Sequence, residues 1–156
     1  ADLPQLAHLG YLPDIARLEL AMRRAYHAAD ATPIDADALA AIPPEDLGDT
    51  RFRLAPAVQI LQSDWPIHDI WQFNTVSDAP KPRAIAQDVL ITRSEFDPVP
   101  APLPPGGAAC LLALQGGQRL HAALEQAQAK TDAFDFGPVL GLLLQGGAIT
   151  QLTMKD

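Results

Sequence analysis

The chain has 156 residues, 48% hydrophobic and 19% charged, with 11 Lys and Arg against 19 Asp and Glu for a net charge of −8. That is enough apolar sequence for one generous globular unit or two small ones, and the acidic excess argues against long-range attraction of the whole chain to phosphate backbones or anionic lipid. A single cysteine, Cys110, excludes an intrachain disulfide and a cysteine-rich zinc site, and no run of about 18 apolar residues could span a bilayer, so a cytoplasmic location is expected.

The opening ADLPQLAHLG has neither the basic region nor the apolar core of a signal peptide. It starts without methionine, so a trimmed piece of a longer protein is an expectation. Pro13 suits a first helical turn. Leu12, Ile15, Leu18, Met22, Ala25, Tyr26 and Ala29 then recur at helical spacing, predicting a helix over 13–29 with one broad apolar face. Residues 31–49 are rich in Pro, Asp and Ala and read as a surface connection, with DADALAAI as a short helix ending at Pro43-Pro44. RFRLAPAVQILQS (51–63) alternates well enough for strands broken at Pro56, and WPIHDIWQFN (65–74) is a short helix with Pro66 near its start.

Beyond the loop DAPKPRA, QDVLITRS (87–94) is a strand. PVPAPLP (98–104) runs antiparallel to it through a turn at Glu95, Phe96 and Asp97, its prolines confining it to an edge. Three short helices follow over 106–117, 118–130 and 136–147. The first and third end in the same Gln-Gly-Gly, where glycine supplies a left-handed cap, and AITQLTM (148–154) closes as a strand. Strand, three helices, strand is the order of a winged-helix-like module. The expected fold is therefore α+β, with a linking helix and small strand/helix region over 1–84 and a winged-helix-like module over 85–156.

None of the histidines His8, His27, His68 and His121 is spaced to share a metal, so surface or boundary positions are expected and no metal or cofactor is predicted. Ser63, Asp64, His68 and Asp69 imitate a catalytic set. Ser63-Asp64 reads more economically as the cap of the following helix. Cys110 lies among Ala108, Ala109, Leu111 and Leu112 with no basic neighbour, as a buried structural thiol would. The glycine-rich pieces fit neither phosphate-loop pattern, and two of them close helices, where the dipole repels phosphate. Phe136 to Gln145, the segment that would enter a DNA groove in a winged helix, holds no basic residue. A non-enzymatic, protein- or peptide-binding role is the expectation.

The densest charge lies in YLPDIARLELAMRRAYHAAD (11–30). At 100° per residue Glu19 and Arg23 form an i,i+4 pair on the flank of the apolar face, while Arg17, Arg24 and His27 lie opposite it with Leu20 among them. That face is either solvated or packed on another domain or subunit.

The same stretch resembles the segment linking the two halves of the HvfC/BufC-like proteins, a family catalogued as DNA-binding. It matches at Tyr11, Leu12, Asp14, Ala16, Leu18, Glu19 and again from Tyr26 to Asp30. RFRLAPAVQILQSDWPIHDIWQFN is similar to the family further on, at Leu54, Pro56, Val58, Pro66, His68, Ile70 and Trp71, as are QDVLITRS and AACLLALQGG. Such proteins usually begin with a further helical domain and this sequence starts at its end, so the expectation is either that the domain was removed or that this member never had it. The resemblance implies an accessory protein that binds a multinuclear non-haem iron, peptide-modifying oxidase and its precursor peptide, with Arg17, Leu20, Arg24, His27 and Trp71 as partner-binding residues. The alternative is a DNA-binding or transcription-regulatory protein. A peptide adding as a strand would use QDVLITRS or the terminal AITQLT as its edge, since the proline-rich strand pairs poorly.

Overall fold

The computed structural model describes residues 10–154; His8 and the closing Lys155 and Asp156 lie outside them. Its elements are α1 (Leu12–His27), α2 (Ala36–Ala40), α3 (Pro44–Leu47), β1 (Arg51–Leu54), β2 (Gln59–Leu61) and α4 (Ile67–Thr75). They continue through β3 (Asp88–Thr92), β4 (Val99–Leu103), α5 (Gly107–Gln115), α6 (Leu120–Gln128), α7 (Phe136–Gln145) and β5 (Ile149–Thr153). The fold is α+β. Pro44 does not merely end α2 but opens α3, where its fixed φ and missing N–H suit a first turn.

Two antiparallel sheets organise the chain, one in the order β2-β3-β4 and one pairing β1 with β5. Strand β3 is central and buried on both faces, so its period of two divides its side chains between two cores. Val89 and Ile91 meet Leu18, Ala21 and Ala25 of α1, together with Leu61 and Ile67. Leu90 turns the other way, into a larger core with Phe52, Leu111, Leu114, Leu120, Val139, Leu143 and Ile149. The proline strand β4 lies at the sheet edge, with Pro100 opposite Ile91 and Pro102 opposite Val89.

The terminal strand pairs with β1, nearly a hundred positions earlier: Phe52 faces Leu152 and Arg53 faces Gln151, with a bulge between Arg53 and Leu54 that leaves Thr150 as the extra residue. Both sheets and both cores thus draw on residues from either side of position 84, and the expected division there does not coincide with a gap between cores.

Glycines act in two ways, through left-handed backbone and through one close approach. The second glycine of each Gln-Gly-Gly ending takes positive φ, +88° at Gly117 and +61° at Gly147. Gly146 lies directly against Thr92 of β3, where an added Cβ would overlap the threonine hydroxyl. That contact locks the end of α7 onto the three-stranded sheet.

Candidate partner-binding site

Helix α1 buries Leu18, Ala21 and Ala25, with Ile15, Met22 and Ala28 at the margin of the core. The apolar face is narrower than the periodicity predicts. Leu12 (46%) and Tyr26 (55%) are exposed, and the buried stripe runs through the small Ala21 and Ala25 beside Leu18. Leu20 is also exposed, as are Glu19, Arg23, Arg24 and His27, and the His27 ring meets Tyr26 edge-on at 5.1 Å. Among the described residues Glu19 and Arg23 form no ion pair; in water such a pair gains little over two hydrated charges.

Arg17 is exposed as well, but its side chain is engaged. It donates to Asp14 Oδ1 at 3.0 Å and, more loosely, to the Gln62 carbonyl, while Asp14 Oδ2 accepts the Ser63 hydroxyl at 2.6 Å. This chain of contacts fastens the start of α1 to the turn after β2. Ser63 therefore does not cap α4: its oxygen accepts from the Trp65 N–H at 3.0 Å, and its proton goes to Asp14 rather than toward His68.

His68 is buried, not at the surface, beside Trp71 at 6.2 Å. Burial lowers its pKa, against the opposing influence of the Pro100 carbonyl and Asp69. Trp71 is half-buried against the α1 core, apart from Leu20, Arg24 and His27 on the outer face. Asp69 accepts from the Arg83 side chain at 2.8 and 3.1 Å, from the Arg83 backbone N–H and from the Gln87 side-chain amide. The Arg83 side chain is the main reason its pKa lies well below the usual carboxylate range. Burial pushes the Cys110 thiol up to about 11, which keeps it protonated at neutral pH.

The end of α1 depends on a residue the sequence reading passes over. Arg93, at the end of β3, has a side chain only 6% exposed and donates to the carbonyls of Ala25, Tyr26 and Ala28 at 2.6 to 3.0 Å and of Ala29 at 3.4 Å. It also meets the fully solvated Asp30 carboxylate at 2.8 Å. One guanidinium thus gathers the carbonyls of the helix end, that of Ala25 shared with the Ala28 N–H, and neutralises its negative pole. The Ala-Ala-Asp ending of the opening stretch is the receptor for this arginine. The only local signal was a basic residue closing an apolar strand.

Strand β3, one expected peptide edge, has neighbours on both sides and cannot accept another strand. The terminal strand differs. Among the described residues β1 is the only strand that pairs with β5, and on the other side of β5 the Ile34 N–H donates to the Ile149 carbonyl at 2.8 Å. Along that side runs a groove of about 390 Å³, walled by Ile34, Ala38 and Ile42 and floored by Thr150, Leu152 and Met154. Among the described residues no three His, Cys, Asp or Glu side chains gather to hold a metal ion, and no helix is long and apolar enough to cross a membrane. Comparison with family models, curated proteins and solved structures finds no match for the chain.

Proposed function

We propose that the chain is a non-enzymatic accessory protein of the HvfC/BufC-like kind, which binds a multinuclear iron-dependent peptide-modifying oxidase and presents its precursor peptide. The observation that carries this reading is the β5 edge beside an apolar groove, a combination that offers main-chain hydrogen bonds for affinity and side-chain pockets for selectivity. In this reading residues 85–156 act as a winged-helix-like module whose last strand serves the peptide, and the outer face of α1 with Leu20, Arg24 and His27 meets the enzyme. The half-buried Trp71 contributes by holding α4 beneath α1, and Arg17 by fixing the start of the helix. The buried Cys110 thiol and the engagement of Ser63 with Asp14 both favour a binding role over a catalytic one.

A pull-down from the native host, read by mass spectrometry, is expected to recover an iron oxidase with the chain. Recovery of neither an oxidase nor a precursor peptide would overturn the proposal. The nucleic-acid alternative predicts a gel shift whose midpoint moves steeply with salt. Against it stands α7, which carries no basic residue to neutralise phosphate.

A further inference from the structure

The wall of the β5 groove has a sign. From Asp35 to Asp49 the chain carries Asp35, Asp37, Glu45, Asp46 and Asp49 and no lysine or arginine. Ala38 and Ile42 from this stretch, with Ile34 just before it, line the groove, and its Asp35, Asp37, Glu45 and Asp49 are exposed. Asp35 accepts from the Asp37 backbone N–H at 2.8 Å, and Asp49 lies 3.9 Å from His121. The nearest basic side chains of the same sheet, Arg51 and Arg53, lie on β1 and line a separate groove with Leu114 and Gly117.

An extended segment paired to β5 would rise about 3.4 Å per residue and turn alternate side chains toward Ile34, Ile42 and Leu152. Its remaining residues and its flanks would pass along the acidic rim. We infer that the β5 groove takes an extended peptide with apolar residues at alternate positions and lysine or arginine at its flanks, and that the acidic stretch from Asp35 to Asp49 selects for that charge. This rests on reading β5 as a peptide-docking edge.

Fluorescence anisotropy on the full chain, with three synthetic probes, separates the two ideas. One probe has an alternating valine and threonine core with lysine pairs at both ends, a second has glutamate pairs instead, and a third is the lysine probe with alternate backbone nitrogens methylated. The lysine probe is expected to bind about tenfold tighter than the glutamate probe at low salt, with the difference shrinking at high salt. Asp37→Asn with Glu45→Gln, both at exposed positions, should reduce that preference about threefold without moving the unfolding midpoint. The matched change Glu95→Gln with Asp97→Asn, in the turn of the other sheet, should leave it in place. Equal binding of lysine and glutamate probes, with the methylated probe weaker, overturns the charge selection and leaves the β5 edge standing. Binding of neither unmethylated probe, or undiminished binding of the methylated one, overturns both. A concentration-dependent dimer that the lysine probe cannot disrupt would assign the edge to a second copy of this chain and overturn the inference.

Discussion

Arg93 shows how much one side chain can decide. Removing it strands several carbonyls at the end of α1 in a site where the guanidinium itself is almost fully enclosed. Arg93→Ala is expected to cost about 2–4 kcal/mol by urea denaturation. Arg93→Lys should recover only part of this, since an ammonium cannot reach so many acceptors from one plane. An alanine variant as stable as the parent would show that the carbonyls find water instead. Gly146 makes a second test at this scale. Gly146→Ala drives a methyl into Thr92 and should destabilise by about 1–3 kcal/mol in urea denaturation, and an alanine variant as stable as the parent would show that the end of β3 shifts to make room. Neither position announces itself in the sequence: an arginine after a strand and a glycine after a helix have ordinary local explanations, and their partners lie more than fifty residues away.

At the scale of elements, α1 was legible in outline and wrong in detail. Period and Pro13 placed the helix to within two residues, yet Leu12 and Tyr26, counted with its apolar face, stand in solvent. Helical spacing gives directions around an axis but not how near the neighbouring sheet comes. Leu18, with no exposed surface, should cost about 2–4 kcal/mol as Leu18→Ala. Leu20→Asp on the outer face should leave the unfolding midpoint unchanged and weaken only the partner contact. The tether between α4 and the loop before β3 has a pH signature. Because Asp69 is held below its ordinary range when folded, its contribution is fully present above the unfolded carboxylate pKa of about 4 and is lost as pH falls through the lowered folded value. The stability gap between the parent and Asp69→Asn should therefore stay constant above about pH 5 and narrow steadily below about pH 4; a gap unchanged down to about pH 2 would remove the tether from the account.

For the whole molecule, the pairing of β5 with β1 matters most. It ties the last strand to a segment on the far side of position 84, and the larger core fills in behind it with Phe52, Val139, Leu143 and Ile149. Residues 85–156 expressed alone would expose Leu90, Leu111, Leu114 and Ile149 where Phe52 and Val58 now cover them. They are expected to give no cooperative unfolding transition, whereas the full chain is expected to unfold in one step. A sharp two-state transition from the shorter piece would establish it as an independent module. The candidate site depends on the same pairing, because a strand held by β1 on one side can offer its other side to a peptide.

By itself the sequence determined the α+β class, the approximate spans of nearly every element, the edge position of the proline strand and the left-handed glycines after α5 and α7. These follow from local chemistry: side-chain period, the missing proline N–H and the absence of a glycine Cβ all act within a few residues. Only the tertiary structure decided that β3 is central and closed to further strands, that β5 joins β1, that Arg93 ends α1, and that an apolar groove lies beside β5. Strand pairing is made through backbone groups that every residue shares, so the side chains say which strands are apolar without saying which neighbour each will take.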